Sequence, residues 1–258
     1  MNTLIGDIGN TNTKICLINS KNLNLKKSFN FVSKNILSSS FLKKQFKKII
    51  KKEKINKFAL ISSVVPKYNY FLKSFLKRFY KLELKEIKDK KIKKIIKINI
   101  KNKNQIGSDR IANAVGVFKK YKSNCIVLDF GTATTFDVVT DDGTYNGGII
   151  APGVNLSIKS LTNSADQIPI FSIKKQNKII GKNTIQALRS GFYWGYSGLI
   201  NNIIFKIEKE TKKKYKIIFT GGFAKLFKAT IVRPFIVDKN ITIRGISEIF
   251  KENKKKLI

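Results

Sequence analysis

Two segments lying 122 residues apart are written to one plan. Leu4-Ile5-Gly6 is an apolar run that enters Asp7-Ile8-Gly9-Asn10-Thr11-Asn12-Thr13 and leaves through Ile15 to Ile18. Cys125 to Leu128 enters Asp129-Phe130-Gly131-Thr132-Ala133-Thr134-Thr135 and leaves through Phe136 to Val139. Each reads as strand, an Asp-x-Gly turn rich in hydroxyls, and strand again. The period is too long for a solenoid and suits a duplicated domain, so the chain is expected to fold as two related α/β halves. Its 258 residues, 42% of them hydrophobic, can fill two cores of that kind. The halves are placed at residues 1–115 and 116–258.

Between these landmarks strands and helices alternate. From Phe41 to Ile50, the residues Leu42, Phe46, Ile49 and Ile50 recur at helical spacing, and lysines take the other face. Phe58 to Val65 reads as a buried strand ended by Pro66, with a second amphipathic helix from Tyr68 to Tyr80. The lysine-rich stretch from Leu84 to Lys103 is weakly patterned and is expected to hold one or two edge strands. Ser108 has the position of an N-cap, with Ile111, Val115 and Phe118 a turn apart below it. A long helix from Thr184 to Glu210, a strand from Lys216 to Thr220, and a Gly221-Gly222 break into a short helix ending at Lys228 complete the reading.

Composition removes several kinds of chemistry. The chain has no histidine, which excludes a Ser-His-Asp triad, a histidine zinc site and an imidazole base. Cys16 and Cys125 lack C-x-x-C spacing and are expected to be buried, reduced thiols. A net charge of +36 would ordinarily suggest nucleic acid, but only five of the 52 basic residues are arginine. The residue suited to bidentate base and phosphate contacts is therefore scarce, and no specific nucleic-acid partner is expected. No apolar run is long enough to span a bilayer, and Asp7 interrupts the opening run without a basic flank. A cytoplasmic location is expected, with no membrane partner.

The turns suggest a phosphate clamp. Gly9 and Gly131 let backbone amides approach phosphate oxygens, and Thr11, Thr13, Thr132 and Thr134 or Thr135 offer hydroxyl donors. Asp7 and Asp129 beside phosphate imply Mg2+ or a monovalent cation between them. Each Asp-x-Gly could also simply turn a hairpin. There is no G-x-x-x-x-G-K-[ST] run, so ATP, if bound, is held by these hairpins. Gly107-Ser108-Asp109-Arg110 sets an acid in the first turn of a helix, where the dipole favours its ionised form and a substrate hydroxyl could lose a proton to it. Ordinary capping accounts for the same acid equally well.

Together these motifs resemble type III pantothenate kinases, of the actin, heat-shock chaperone and sugar kinase superfamily. The resemblance also takes in Ser62-Ser63-Val64-Val65-Pro66, Gly147-Gly148 through Ala151-Pro152-Gly153, Gly181 through Thr184, and Thr220-Gly221-Gly222-Phe223. It implies two ribonuclease H-like, actin-like ATPase domains with a cleft between them, and transfer of phosphate from ATP to pantothenate. By resemblance, Asp7, Ile8, Gly9, Asn10, Thr11, Asn12, Thr13 and Lys14 hold ATP, with Mg2+ at Asp7 and a further phosphate contact at Thr132. Asp109 is then the base, and Ile100, Gly107, Ser108, Asp109, Arg110 and Thr184 line the pantothenate site. Asp129 binds K+ or NH4+, and the enzyme is a homodimer. Where the family usually has tyrosine, proline and glutamate, this chain has Ile100, Lys103 and Gln105. Rival readings are a Bvg accessory factor-like transcriptional regulator without kinase activity, a sugar kinase or a polyphosphatase.

Overall fold

The structure, a computed structural model, describes residues 1–257. It comprises two compact units: unit 1 takes Met1–Tyr121, Gly143–Tyr145 and the C-terminal stretch from Asn240, and unit 2 takes Lys122–Asp142 and Asn146–Lys239.

Unit 1 opens with the expected hairpin, β1 (Asn2–Ile8) and β2 (Asn12–Asn19), to which β3 (Leu25–Val32) adds antiparallel. Helix α1 (Ser39–Ile50) leads to β4 (Ile55–Ser63), which runs parallel to β1, and helix α2 (Pro66–Tyr80) leads to β5 (Glu83–Glu86), parallel to β4. The sheet order is β3-β2-β1-β4-β5. β1, apart from half-buried Asp7, and the middle of β4 are buried, which is why they read as continuous apolar runs rather than alternating ones. Leu42, Phe46 and Ile49 of α1 and Leu72, Phe75 and Leu76 of α2 turn inward as their spacing predicts. The Phe46 and Phe75 rings meet at 5.8 Å. Proline at the start of α2 costs nothing, because the first amides of a helix have no intrahelical partner.

Unit 2 repeats the design. β7 (Cys125–Phe130) and β8 (Ala133–Val139) form its hairpin, and β9 (Thr144–Pro152) follows β8. After helices α4 (Val154–Ser164) and α5 (Thr184–Thr211), β10 (Lys216–Gly221) lies parallel to β7, and β11 (Phe235–Val237) lies parallel to β10. The order β9-β8-β7-β10-β11 is that of the first sheet, strand for strand. The short strand β6 (Lys97–Ile98) pairs with Thr144 and Tyr145, the residues of β9 that belong to unit 1. The short helix expected after Gly222 is a 3-10 turn, Leu226–Ala229. Cys16 and Cys125 are buried free thiols, and burial pushes the Cys16 thiol up to about 11.

Helix α3 (Ser108–Tyr121) packs in unit 1 against α6 (Ile241–Leu257), a helix the periodicity reading does not identify. Glycine makes the approach possible. A Cβ on Gly245 would overlap the Ala112 carbonyl, and one on Gly116 would meet the backbone and side chain of Ile241. The Thr242 hydroxyl donates to Asn113 Oδ1 at 2.7 Å, and Lys119 meets Glu252 at 3.0 Å.

Candidate active site

The register Ile8 opposite Thr13 leaves Gly9-Asn10-Thr11-Asn12 as the first turn, closed by the Gly9 N–H donating to the Asn12 carbonyl at 3.0 Å. Asn10, Thr11 and Asn12 are exposed, and Asp7, Gly9 and Lys14 are half-buried. Ile8 and Thr13 instead support the turn from below. The Ile8 side chain is in the core, and its carbonyl accepts from the Val64 N–H at 3.2 Å. The buried Thr13 hydroxyl is bonded to the Ser33 hydroxyl at 2.8 Å, and Ser33 donates to the Gly9 carbonyl at 2.7 Å. Lys14 Nζ donates to Asn240 Oδ1 at 2.6 Å, fixing it to the residue that precedes α6.

In unit 2, Phe130 opposite Thr134 leaves Gly131-Thr132-Ala133, one residue shorter. Gly131 and Thr132 are exposed, and Thr134 is buried. The two acids hold matching places: Asp7 lies beside Ser62 of the parallel neighbour β4, and Asp129 beside Thr220 of β10. Gly221 has φ +83, and a Cβ there would come within 2.6 Å of the Phe130 backbone, so the strand end beside Asp129 demands glycine. Thr184 is exposed at the start of α5, whose N-cap Asn183 accepts from the Gln186 N–H at 2.9 Å.

The third set lies at the start of α3 in unit 1. Ser108, expected from sequence to cap its own helix, instead turns its hydroxyl to Ser63. Its hydroxyl accepts from the Ser63 N–H at 2.9 Å and donates to the Ser63 carbonyl at 2.8 Å. This reciprocal pair joins α3 to the end of β4, where Ser63 sits beside Ile8 of the first turn's strand. Gly107 supplies the carbonyl that receives the Ile111 N–H, and a Cβ on Gly107 would strike the Asp109 carboxylate, which is folded back against it. Asp109 Oδ1 accepts from the Arg110 N–H at 2.8 Å. Burial raises the Asp109 pKa, and the Arg110 amide, the Arg110 guanidinium and the Lys88 ammonium partly oppose that rise. The carboxyl is thus a stronger proton acceptor than an exposed aspartate, as a base requires.

Some of the surrounding groups carried no sequence signal. The Arg110 guanidinium lies 5.9 Å from the ring centre of Tyr145, a fully buried residue whose carbonyl accepts from the Asn99 N–H at 2.9 Å. In the backbone pairing the tyrosine lies opposite Ile98, two residues before half-buried Ile100. A cavity of about 380 Å³ borders the helix start and is lined by Ser63, Val64, Asn69, Glu86, Gln105 and Gly107 among others. Burial raises the pKa of Glu86 as well. Among the described residues, no cluster of three or more Asp, Glu or Cys side chains forms a metal cage. Single carboxylates at Asp7 and Asp129 fit hard cations that complete their shells with phosphate oxygens and water.

Two sheets of one strand order, each with an acidic, hydroxyl-rich turn after its first strand, define the mixed α/β fold of actin-like ATPases and sugar kinases. Among solved structures, a Baf family transcriptional activator from Campylobacter jejuni aligns with a TM-score of 0.62 at 23% identity, over 98% of this chain and 99% of that one. The ethanolamine utilization protein EutJ from Carboxydothermus hydrogenoformans aligns with a TM-score of 0.59 at 14% identity, over 96% and 89%. These likenesses are of fold alone. Sequence likeness is more specific: the type III pantothenate kinase family profile matches residues 3–206. The type III pantothenate kinase of Pelagibacter ubique (strain HTCC1062) is 51% identical over 94% of this chain and 96% of that protein. That of Jannaschia sp. (strain CCS1) is 42% identical over 76% of each. The chain belongs to the type III pantothenate kinase family and is a kinase.

Proposed function

We propose that this kinase transfers the γ-phosphoryl group of ATP to the primary hydroxyl of pantothenate, giving 4'-phosphopantothenate and ADP at the first step of coenzyme A synthesis. The observation that carries the reading is the Asp109 carboxylate, folded against Gly107 at the start of a helix that Ser108 bonds to the end of β4. The substrate oxygen attacks the γ-phosphorus, the bond to the bridging oxygen of ADP breaks, and the hydroxyl proton passes to Asp109. Phosphoryl transfer asks mainly for positioning and charge neutralisation. Exposed Asn10, Thr11 and Asn12 and the Gly9 backbone are suited to the ATP phosphates, with Thr132 adding a hydroxyl. Mg2+ beside Asp7 and K+ or NH4+ beside Asp129 would supply positive charge against the phosphates.

Arg110, Ile100, Gly107, Ser108 and Thr184 are assigned to the pantothenate site. Exposed Ile150, Leu156, Ile170, Ile179 and Ile180 on unit 2 support a homodimer. A cytoplasmic location is part of the proposal; among the described residues no helix is long and apolar enough to cross a membrane. The transcriptional-regulator reading draws only on fold likeness and is not favoured. The test is ATP consumption with pantothenate, with and without K+, in the native chain and in Asp109→Asn. The substitution should leave ATP binding intact and lower turnover by about 100-fold or more; near-normal turnover would remove Asp109 as the base.

A further inference from the structure

Of the 52 basic residues, most are spread along solvated faces and have no evident task. Lys88 differs. Its Nζ donates to the Asn104 carbonyl at 2.9 Å and to the Ile106 carbonyl at 2.8 Å. Those carbonyls belong to the loop that ends in Gly107, two residues before Asp109. The stretch 99–107 contains no proline and holds one 3-10 turn, Lys103–Gln105. Asn102 Oδ1 accepts from the Asn104 N–H at 3.2 Å, the Asn102 carbonyl accepts from the Gln105 N–H at 3.2 Å, and Ile106 is buried.

Lys88 itself rises from a fixed base. Its N–H donates to Glu86 Oε2 at 2.6 Å, and the Glu86 N–H donates to Asp89 Oδ2 at 3.0 Å. Ile87 between them is buried, with its N–H on the Ile61 carbonyl of β4 at 2.9 Å. The ammonium therefore bridges the rigid end of β5 and the loop before α3. The loop's last residue in turn touches the carboxylate, because Gly107 lies so close to Asp109 that it has no room for a Cβ.

We infer that Lys88 is a positioning residue for the phosphoryl transfer: it pins the loop ending in Gly107 and so sets where the Asp109 carboxylate stands. The inference rests on the reading of Asp109 as the base. A displacement of about 1 Å at a reacting group can cost about 100-fold in rate, so a clamp this near the carboxylate matters to turnover. Lys88 also faces Asp109 electrostatically. The charged groups around that carboxylate are the Arg110 guanidinium on α3 and the Lys88 ammonium, with Glu86 and Asp89 behind Lys88 on its own turn. Lys88 is largely exposed, so solvent screens its field and the mechanical tie is the larger effect.

The test compares Lys88→Met, which keeps the aliphatic stem, with Lys88→Arg, which keeps charge and donors, in the full chain. Turnover and KM for pantothenate and for ATP are measured across pH, with thermal melting alongside. The Met variant should lose about tenfold in kcat/KM for pantothenate with KM for ATP unchanged. Its acidic limb should move to higher pH, because an ammonium that stabilises ionised Asp109 is gone, and Arg should restore both quantities. Should Lys88→Met fold poorly, Lys88→Gln retains a donor without charge and should keep most of the rate while still moving the limb. An unmoved limb with unchanged kcat/KM, or an equal loss toward both substrates that Arg does not rescue, overturns the inference. If Asp109→Asn abolishes turnover while Lys88→Met is silent, Lys88 alone is misassigned; if Asp109→Asn retains turnover, the underlying reading has failed.

Discussion

Replacing Gly245 with alanine tests whether the crossing of α3 and α6 is the support on which the start of α3 rests. The new methyl would overlap the Ala112 carbonyl oxygen and lie 2.6 Å from its carbon and 3.1 Å from its Cα. Ordinary carbon contacts need about 3.5–4.0 Å, so the helices must separate locally by about 1 Å. Forcing an extra methyl into a closed contact costs about 1–3 kcal/mol. The better helix propensity of alanine returns at most about 1 kcal/mol. Overlap with a backbone carbonyl calls for the upper end of that cost, so the net loss is about 2 kcal/mol, a fall in Tm of about 4–8 °C for a chain of this size. Gly191 of α5, where a Cβ meets nothing within 4 Å, is the matched control, and alanine there should raise Tm by about 2–3 °C. Thermal and urea unfolding of both variants decide the matter. If Gly245→Ala melts at or above the parent while Gly191→Ala behaves as expected, the close approach is not a constraint and the argument fails. Because Ala112 sits within a turn of Asp109, turnover with pantothenate should fall in the same variant.

Ser33→Ala removes the hydroxyl that holds the Gly9 carbonyl and Thr13, so KM for ATP should rise about threefold to tenfold while KM for pantothenate stays put; unchanged ATP kinetics would show that the turn does not need this prop. Burial raises the Asp109 pKa, so the acidic limb of kcat/KM should lie above the ordinary aspartate range; a limb at or below pH 3.8 contradicts that placement. The same shift has a stability consequence. A carboxyl whose folded pKa is raised costs stability once pH exceeds its unfolded value, and the cost is complete above its folded value. Asp109→Asn should therefore melt higher than the parent at neutral pH, with the difference vanishing below the unfolded value near 3.8; a constant difference across that window would argue against a desolvated carboxylate.

The duplicated strand-turn-strand plan was legible because both hairpins are local, with strand, turn and strand contiguous and their apolar runs uninterrupted. The parallel neighbours β4 and β10 were legible for the same reason, being buried enough to read as solid hydrophobic runs. What the sequence concealed was long-range. Ser108 looks like a helix cap, and only the chain's return past β4 gives its hydroxyl a different partner in Ser63. Glu86 and Lys88 lie in a lysine-rich tract where no periodicity separates a clamp from a solvated side chain. Tyr145 reaches Arg110 only because Asn99 and Tyr145 are brought together by a two-residue strand too short to leave a pattern. Helix α6 is amphipathic in spacing, but its contact with α3 is marked by Gly116 on α3 and Gly245 on α6, residues that propensity counts against helices.

The C-terminal helix also fixes an order of events during synthesis. Unit 1 is built mostly from the first 121 residues, yet α3 leans on a segment that begins at Asn240. A chain synthesised only as far as β11 holds α3 without α6 beside it, and the contact between the two helices can form only once residues 241–257 have been made. Part of unit 1 is thus made only after all of unit 2.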